Sequence, residues 1–299
     1  MALHRFAFRA MAAENEVQVH AATFAQAQSA ASAAIDEVLR IEAKYSRYRA
    51  DSVVSRVNAA AGGEPVAIDA ETAALLAFAD AAHRNSGGLF DPTSGVLRRA
   101  WDFRNSRVPS QAELAPLLAR IGWARVERGA DTVRLAEPGM ELDFGGFGKE
   151  YAVDRAVAVL VAHGAGSAMV NLAGDLAITG AQPDGTPWRV GVMHPRREQA
   201  VIATLPVASG ALATSGDYER FIEVDGVRHC HILDPRTGRS ARGFQSVTVV
   251  APSCLVAGSA TTIAMLKGAD EGLRWLRELA IPHLCVLEGG AVVDGTASC

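Results

Sequence analysis

The amino-acid sequence predicts an α+β fold with mixed or antiparallel sheets, flanking helices and two closely packed lobes. Helical periodicity dominates the first half of the chain, whereas short segments rich in β-branched and aromatic residues dominate the second half. Apolar residues make up 49% of the 299 residues, which is enough to bury a large core. The sequence contains neither a low-complexity linker nor a repeat of fixed period, so we expect a single domain over residues 1–299.

Three helices are predicted in the first half. Residues 24–43 are rich in alanine and carry their larger apolar side chains near helical spacing. A second helix is expected over residues 69–85, with Asp69 as its N-cap. A third begins at Ser110, because Glu113 three residues later completes a capping box.

The second half alternates helices with short strands. An extended stretch over residues 133–142 leads into a glycine-rich turn, and a helix follows from about Glu150 until Gly164 closes it. Two more helices are expected over residues 256–267 and 270–279. The predicted strands are residues 169–172, 188–192, 201–205, 221–224 and 247–250.

Charge and hydropathy exclude several classes of partner. The formal net charge is -4, so no global positive field exists to hold a nucleic-acid backbone or an anionic membrane surface. The apolar runs are far shorter than the roughly 20 residues needed to span a bilayer. Glu14 and Glu16 precede any long hydrophobic run, so we expect no secretory signal and a cytoplasmic location.

The cysteines show neither C-x-x-C spacing nor the density of a disulfide framework, and we interpret them as free thiols. Cys230 lies between His229 and His231, which raises the alternative of a metal site. Adjacent strand residues point to opposite faces, so we favour an ordinary strand here. The four cysteines are Cys230, Cys254, Cys285 and Cys299.

The glycine-rich turn at residues 143–151, DFGGFGKEY, is the most informative segment. Glycines at the N-terminus of a helix expose backbone amides, and the helix dipole favours negative charge there. The turn, with Asp143, Gly145, Gly146 and Lys149, is therefore a candidate phosphate site. It matches neither G-x-G-x-x-G nor a Walker A loop, and a glycine-rich turn alone is as often structural as functional.

Six segments, taken in order, resemble the ApbE-like flavin transferases, also called FAD:protein FMN transferases. The resemblance runs from about Phe6 to Gly268. It implies a protein that binds FAD and, with Mg²⁺, transfers the FMN half to a threonine hydroxyl of a target flavoprotein, releasing AMP. It also implies that FAD lies in the cleft between the two lobes. The segments are residues 45–52 (YSRYRADS), 90–95 (FDPTSG), 143–151, 171–175 (NLAGD), 214–218 (TSGDY) and 231–238 (HILDPRTG).

The resemblance also implies which residues contact FAD. Apolar and aromatic side chains suit a planar ring, although each one alone is equally explained by core packing. Relatives follow the methionine with Gly-Thr, where this chain has Ala12 and Ala13. The matching residues are Met11, Tyr48, Leu89, Phe90, Asp91 and Ile232.

Two residues are candidates for proton transfer. His231 can accept a proton from a threonine hydroxyl, because imidazole titrates near neutrality. Asp217 is the second candidate, for the same role or for positioning the acceptor. Arg236 could face a phosphate, but an exposed arginine at a turn is the commoner case.

The resemblance places the Mg²⁺ ligands at the carbonyl of Gly148 and at Thr262, and the acidic ligand at a position that is Gly258 in this chain. Glycine offers Mg²⁺ no carboxylate, so the site should be weakened. Asp175 or Asp217 could supply the missing charge. Glu150, where glycine is common in the family, could also do so, but the helix dipole is a sufficient explanation for a glutamate in a first turn.

Three functions therefore remain open at the level of the sequence. The first is an active FAD:protein FMN transferase with a weakened cation site. The second is an FAD-binding protein that has lost transfer activity. The third is a metal-dependent FAD pyrophosphatase, which would suffer from the same missing ligand.

Overall fold

A computed structural model describes residues 1–103 and 107–295, and it confirms the α+β class. Every strand pairing among these residues is antiparallel. The helices are α1 (Phe24–Tyr45), α2 (Val53–Ala59), α3 (Ala70–Asn85), α4 (Gln111–Leu118), α5 (Gly148–Ala162), α6 (Cys254–Lys267) and α7 (Ala269–Glu278), with 3-10 helices at Pro92–Arg99 and Trp123–Arg125. The strands are β1 (Ala2–Ala10), β2 (Ala13–Ala21), β3 (Val66–Ala67), β4 (Val126–Arg128), β5 (Thr132–Leu135), β6 (Ala168–Leu172), β7 (Asp175–Ile178), β8 (Trp188–Met193), β9 (Val201–Val207), β10 (Gly210–Gly216), β11 (Phe221–Val224), β12 (Val227–Cys230), β13 (Phe244–Ala251), β14 (His283–Leu287) and β15 (Val292–Asp294).

Helix caps follow the chemistry of the sequence. Asp69 caps α3 by accepting a hydrogen bond from the amide of Thr72 at 2.9 Å. Ser110 and Glu113 form the expected capping box of α4. Because these side chains satisfy the otherwise orphaned amides of the first turn, both helices begin where the sequence predicts.

The main sheet of the described residues has eight strands in the order β1-β2-β6-β7-β10-β13-β14-β15. Helices α1, α5 and α6 pack on one face of it, and the β8-β9 hairpin covers part of the other. Successive side chains of β7 point to opposite faces of the sheet. Leu176 and Ile178 pack toward β8-β9, whereas Ala177 belongs to the core on the helical side. Asp175, in step with Ala177, therefore faces α5.

The sequence prediction omitted helix α2 and several strands (β3, β4, β7, β10, β12, β14 and β15), and it differs from the structure at two turns. The extended stretch expected over residues 133–142 ends at Leu135, because a turn with Gly139 at φ 81° follows it. The β1-β2 hairpin was not predicted. Its turn residues Met11 and Ala12 have φ of 54° and 63°, a conformation usually signalled by glycine or asparagine.

Three of the four cysteines, Cys230, Cys254 and Cys285, are buried free thiols, and Cys299 lies outside the described residues. None of the helices in the part of the chain that the structure describes combines the length and apolar character needed to cross a membrane. The main hydrophobic core draws residues from Ala10 to Cys285, so both halves of the chain contribute to it. This shared core supports the predicted single domain, which stays a prediction.

Candidate functional site

The glycine-rich turn lies immediately before α5, as the sequence predicts, but it uses part of its own backbone. The amide of Gly145 donates to Oδ1 of Asp143 at 2.8 Å, and the amides of Phe147 and Gly148 both donate to the carbonyl of Phe144. Arg47 forms an ion pair with the same Asp143 carboxylate. These hydrogen bonds and the ion pair hold the turn in place. Fewer of its backbone amides are therefore free to bind an anion than the sequence suggests.

Lys149 points from this turn to the main sheet. Its Nζ lies 2.7 Å from Oδ2 of Asp175, whose other oxygen accepts the amide of Thr214 at 3.0 Å. Burial opposes the charged form of Lys149, but the carboxylates of Asp175 and Glu150 outweigh it and raise the lysine pKa. Lys149 is thus a positive charge held at the start of α5 by its ion pair with Asp175.

Glu150 is buried at the contact between α5 and α6, with only 7% of its surface exposed. A Cβ atom at Gly258 would lie 2.5 Å from Cγ and 2.9 Å from Oε1 of Glu150. Burial is the main cause that raises the pKa of Glu150 well above its usual range, and the Asp175 carboxylate adds to it while Lys149 opposes it. The side chain of Glu150 thus occupies the space that any side chain at position 258 would need.

Neutral oxygen atoms surround the same turn of α6. The hydroxyl of Thr261 donates to the carbonyl of Gly258 at 2.8 Å. The hydroxyl of Ser215, on β10, lies 2.8 Å from Oγ1 of Thr261 and 3.2 Å from Oγ1 of Thr262. Ser215 was not identified from the sequence, although its alternation with Ala213 on β10 places it toward α6.

His231 follows β12 at the start of the HILDPRTG turn. Its Nδ1 lies 3.3 Å from the carbonyl of Arg220, which can only accept, so Nδ1 carries the proton and Nε2 is left as an acceptor. Part of His231 is exposed to solvent. Desolvation by the surrounding protein is nevertheless the largest cause that lowers the pKa of His231 to about 4. The positive charges of Arg220 and Lys149 also lower the pKa of His231. The HILDPRTG turn therefore lies within electrostatic range of the start of α5.

Asp217 is held by Arg196. Both of its carboxylate oxygens accept hydrogen bonds from that guanidinium, each at 2.6 Å, and Arg228 lies 3.9 Å away. Both oxygens of this carboxylate are therefore already engaged by the guanidinium of Arg196. In this structure Asp217 is therefore better suited to positioning than to proton transfer.

The residues matched to the flavin differ in accessibility. Tyr48 is 79% exposed, and its ring stacks against the guanidinium of Arg47. Met11 is half-buried at the β1-β2 turn, with its amide bonded to Oε1 of Glu42 at 2.6 Å. Asp91 caps the first 3-10 helix by accepting from the amide and hydroxyl of Thr93. Leu89, Phe90 and Ile232 are buried in the protein.

Two cavities open near the second half of the sheet. The larger, of about 540 Å³, is lined in part by Asn171, Thr214 and Tyr218. The smaller, of about 300 Å³, is lined in part by Asp217 and Arg242. The glycine turn and His231 are absent from both linings as described, so the cleft for FAD stays a prediction.

Comparison with known proteins agrees with this geometry. The model of the ApbE family matches residues 11–285. An FAD:protein FMN transferase of Treponema pallidum is 34% identical over 269 residues, covering 82% of this chain and 74% of that protein. The corresponding protein of Vibrio cholerae is 32% identical over 261 residues, covering 85% and 78%.

Solved structures give the same result. The ApbE protein of Thermotoga maritima superposes with a TM-score of 0.90 at 33% identity, covering 98% of this chain and 97% of that one. The flavin transferase ApbE of Vibrio cholerae superposes with a TM-score of 0.88 at 26% identity, covering 98% and 96%. Since the family match and these alignments extend over most of its length, the chain belongs to the ApbE family.

Proposed function

We propose that this protein is an FAD:protein FMN transferase that acts on a threonine hydroxyl of a target flavoprotein. The threonine oxygen forms a bond to the phosphorus of the FMN half, the bond from that phosphorus to the bridging oxygen breaks, and AMP leaves. The observation that carries the proposal is the group of polar contacts at the start of α5: Lys149 pairs with Asp175, which also accepts the amide of Thr214 on β10, and the next residue of β10, Ser215, contacts Thr261 on α6. Such a cluster suits the binding of a diphosphate.

In this proposal the FAD diphosphate binds at the glycine turn. Gly145 and Gly146 are exposed, and Asp143 and Arg47 hold the turn in shape, which supports the approach of a phosphate to the backbone. Lys149 offsets phosphate charge. Tyr48, the most exposed of the aromatic candidates, covers the flavin ring with Met11, while Leu89, Phe90, Asp91 and Ile232 support the surrounding wall.

His231 receives the threonine proton in this proposal. Its neutral state and the free Nε2 lone pair support that role, because an imidazolium could not accept. Asp217, fixed by Arg196, positions the acceptor segment of the target protein.

Mg²⁺ would offset the negative charge that develops on the diphosphate during transfer. Within residues 1–103 and 107–295, no three His, Cys, Asp or Glu side chains are grouped to hold a metal ion. Mg²⁺ is commonly held by one or two carboxylates together with substrate phosphates and water. In this proposal the carbonyl of Gly148 and the hydroxyl of Thr262 are ligands. The proposal is supported by Oε2 of Glu150, a buried carboxylate oxygen that has no partner among the described residues and belongs to the side chain packed against Gly258.

A second function is favoured by Gly258. If no carboxylate replaces the one that relatives carry there, the protein would bind FAD without transferring FMN. A FAD pyrophosphatase is the third alternative, in which water takes the place of the threonine oxygen.

One experiment separates the three. The purified protein is incubated with FAD, MgCl₂ and a threonine-containing acceptor domain of a flavinylated flavoprotein. A transferase releases AMP and increases the mass of the acceptor by one FMN, a pyrophosphatase releases AMP with free FMN, and a binder retains FAD without releasing AMP. Retention of FAD without AMP release, with several such acceptor domains, would contradict the proposed transfer.

A further inference from the structure

Two departures from the family pattern face each other across the contact between α5 and α6. We propose, on the basis of the function proposed above, that Glu150 provides the carboxylate ligand for Mg²⁺ that relatives provide from the position of Gly258. The two departures are then a single compensating change: where relatives have glycine on α5 and an acidic residue on α6, this chain has the acidic residue on α5 and glycine on α6.

The geometry makes the two acidic positions alternatives. A Cβ at residue 258 would meet Cγ of Glu150 at 2.5 Å and its Cδ at 3.0 Å, which is closer than unbonded carbon atoms approach. An aspartate at 258 therefore cannot be accommodated while the Glu150 side chain keeps its present position. The Glu150 carboxylate lies in the volume that an acidic side chain from α6 would fill.

The helix dipole does not account for this carboxylate. Glu150 is only 7% exposed, and its buried Oε2 has no hydrogen-bond partner among the residues that the structure describes. Lys149, the adjacent cation, is engaged by Asp175 at 2.7 Å. A buried, unpaired carboxylate oxygen is destabilising unless a cation or a donor reaches it, so its retention points to a ligand.

Asp154 provides a contrast on the same face of α5. It lies one turn after Glu150, and its two oxygens accept the amides of Cys254 and Leu255 at 2.7 and 2.9 Å. The N-terminus of α6 is therefore capped by Asp154, and the role of Glu150 is not to cap it. One turn further along α6, Glu150 meets Gly258 beside the hydroxyls of Thr261 and Ser215, which complete an oxygen-rich surface suited to a hard cation.

The test measures metal binding directly. Binding of Mn²⁺, as a paramagnetic substitute for Mg²⁺, is followed by electron paramagnetic resonance with and without FAD, and FAD binding is measured separately in EDTA. The variants are E150Q, E150G, G258D and the exchange variant E150G/G258D. E64Q, which removes an exposed glutamate between α2 and β3, is the control for loss of one negative charge.

We expect E150Q to weaken Mn²⁺ binding in the presence of FAD by about tenfold or more, because a hard cation depends on charged oxygen ligands, and to leave FAD binding in EDTA unchanged. E150G should weaken Mn²⁺ binding as much as E150Q does, and E150G/G258D should regain most of the affinity for Mn²⁺. G258D alone should lower the melting temperature, because its side chain collides with Glu150. E64Q should match the wild type.

The inference would be overturned if E150Q, shown to be folded by its circular dichroism melt, bound Mn²⁺ as tightly as the wild type. It would also be overturned if E150G/G258D bound no better than E150G. These outcomes differ from failure of the proposed function itself, in which the unaltered protein would release no AMP and leave the acceptor domain unmodified, whatever its affinity for Mn²⁺.

Discussion

At the scale of single residues, His231 shows how the surroundings set chemical behaviour. The sequence suggests a base that titrates near neutrality, whereas in the folded chain crowding, Arg220 and Lys149 lower its pKa to about 4. The hydrogen bond from Nδ1 to the carbonyl of Arg220 also selects one tautomer. Both effects keep Nε2 free to accept a proton at neutral pH.

We therefore expect transfer to show no acid limb from His231 between about pH 5.5 and pH 8, although an unperturbed histidine would produce one near its usual pKa of about 6.5. H231Q should lower kcat for AMP release by about 10²-fold or more, because it removes the general base, and leave FAD affinity unchanged. The measurement is the pH-rate profile of AMP release. H163Q, at an exposed histidine whose Nδ1 donates to the carbonyl of Val159, is the control. An H231Q enzyme with wild-type kcat would remove His231 from the reaction.

The contact between Glu150 and Gly258 could not be predicted from the sequence. The family resemblance marks both positions as departures, but they lie 108 positions apart and no local pattern in the sequence joins them. Their contact depends on the antiparallel packing of α5 on α6, which is a tertiary property. Lys149 and Thr262 were predicted as site residues from local motifs, and these roles stay predictions, whereas the partner of Lys149, Asp175, becomes evident only in the folded sheet.

At the scale of elements, the helices that carry strong capping signals were the most predictable. Asp69 and Ser110 mark the start of α3 and α4 because capping is a local interaction. The β1-β2 hairpin escaped prediction because Met11 and Ala12 take left-handed conformations without glycine. That turn is supported from outside, by the bond between the amide of Met11 and Glu42 on α1.

An ion cluster joins α1, α3 and α5. Glu71 accepts hydrogen bonds from Arg40 on α1 at 2.9 Å and from the hydroxyl of Tyr151 on α5 at 2.8 Å, and it pairs with Lys44. The bond from Arg40, followed by those from Lys44 and Tyr151, outweighs burial and holds the pKa of Glu71 well below its usual range. For Asp69, burial opposes ionisation, but Lys44 and Thr72 outweigh it and lower the pKa to about 2.

Both acids have lower pKa values in the folded chain than in the unfolded chain. Their contribution to stability is therefore complete above the unfolded-state pKa of about 4 and is lost as the pH falls below it. We expect E71Q to lower the free energy of unfolding at neutral pH by about 1–2 kcal/mol, an amount reduced by partial exposure. It should also flatten the loss of stability below about pH 4. Urea unfolding at several pH values measures both, with the exposed E278Q as control; an unchanged acid limb in E71Q would contradict this assignment.

At the scale of the whole molecule, the aromatic residues packed against the glycine turn belong to the main core, which includes residues from Ala10 to Cys285. Phe147 is 1% exposed, and its ring centroid lies 4.7 Å from that of Phe144, 6.0 Å from Phe90 and 6.2 Å from Phe78 on α3. The candidate site therefore rests on a core to which both halves contribute. Rigid support of this kind holds binding groups in a fixed arrangement.

We expect F147A to destabilise the protein by about 3–5 kcal/mol, because it leaves a cavity among three rings. If residues 1–299 form a single domain, unfolding should remain one cooperative transition shifted to lower temperature, since Phe147 belongs to a core that includes residues of both halves. Differential scanning calorimetry measures this, and F24A, at a phenylalanine that is 57% exposed, is the control and should change stability by less than about 1 kcal/mol. Two separate transitions, with only one of them shifted, would show that the halves unfold independently. The same variant should weaken FAD binding, because the glycine turn loses the ring on which it is packed.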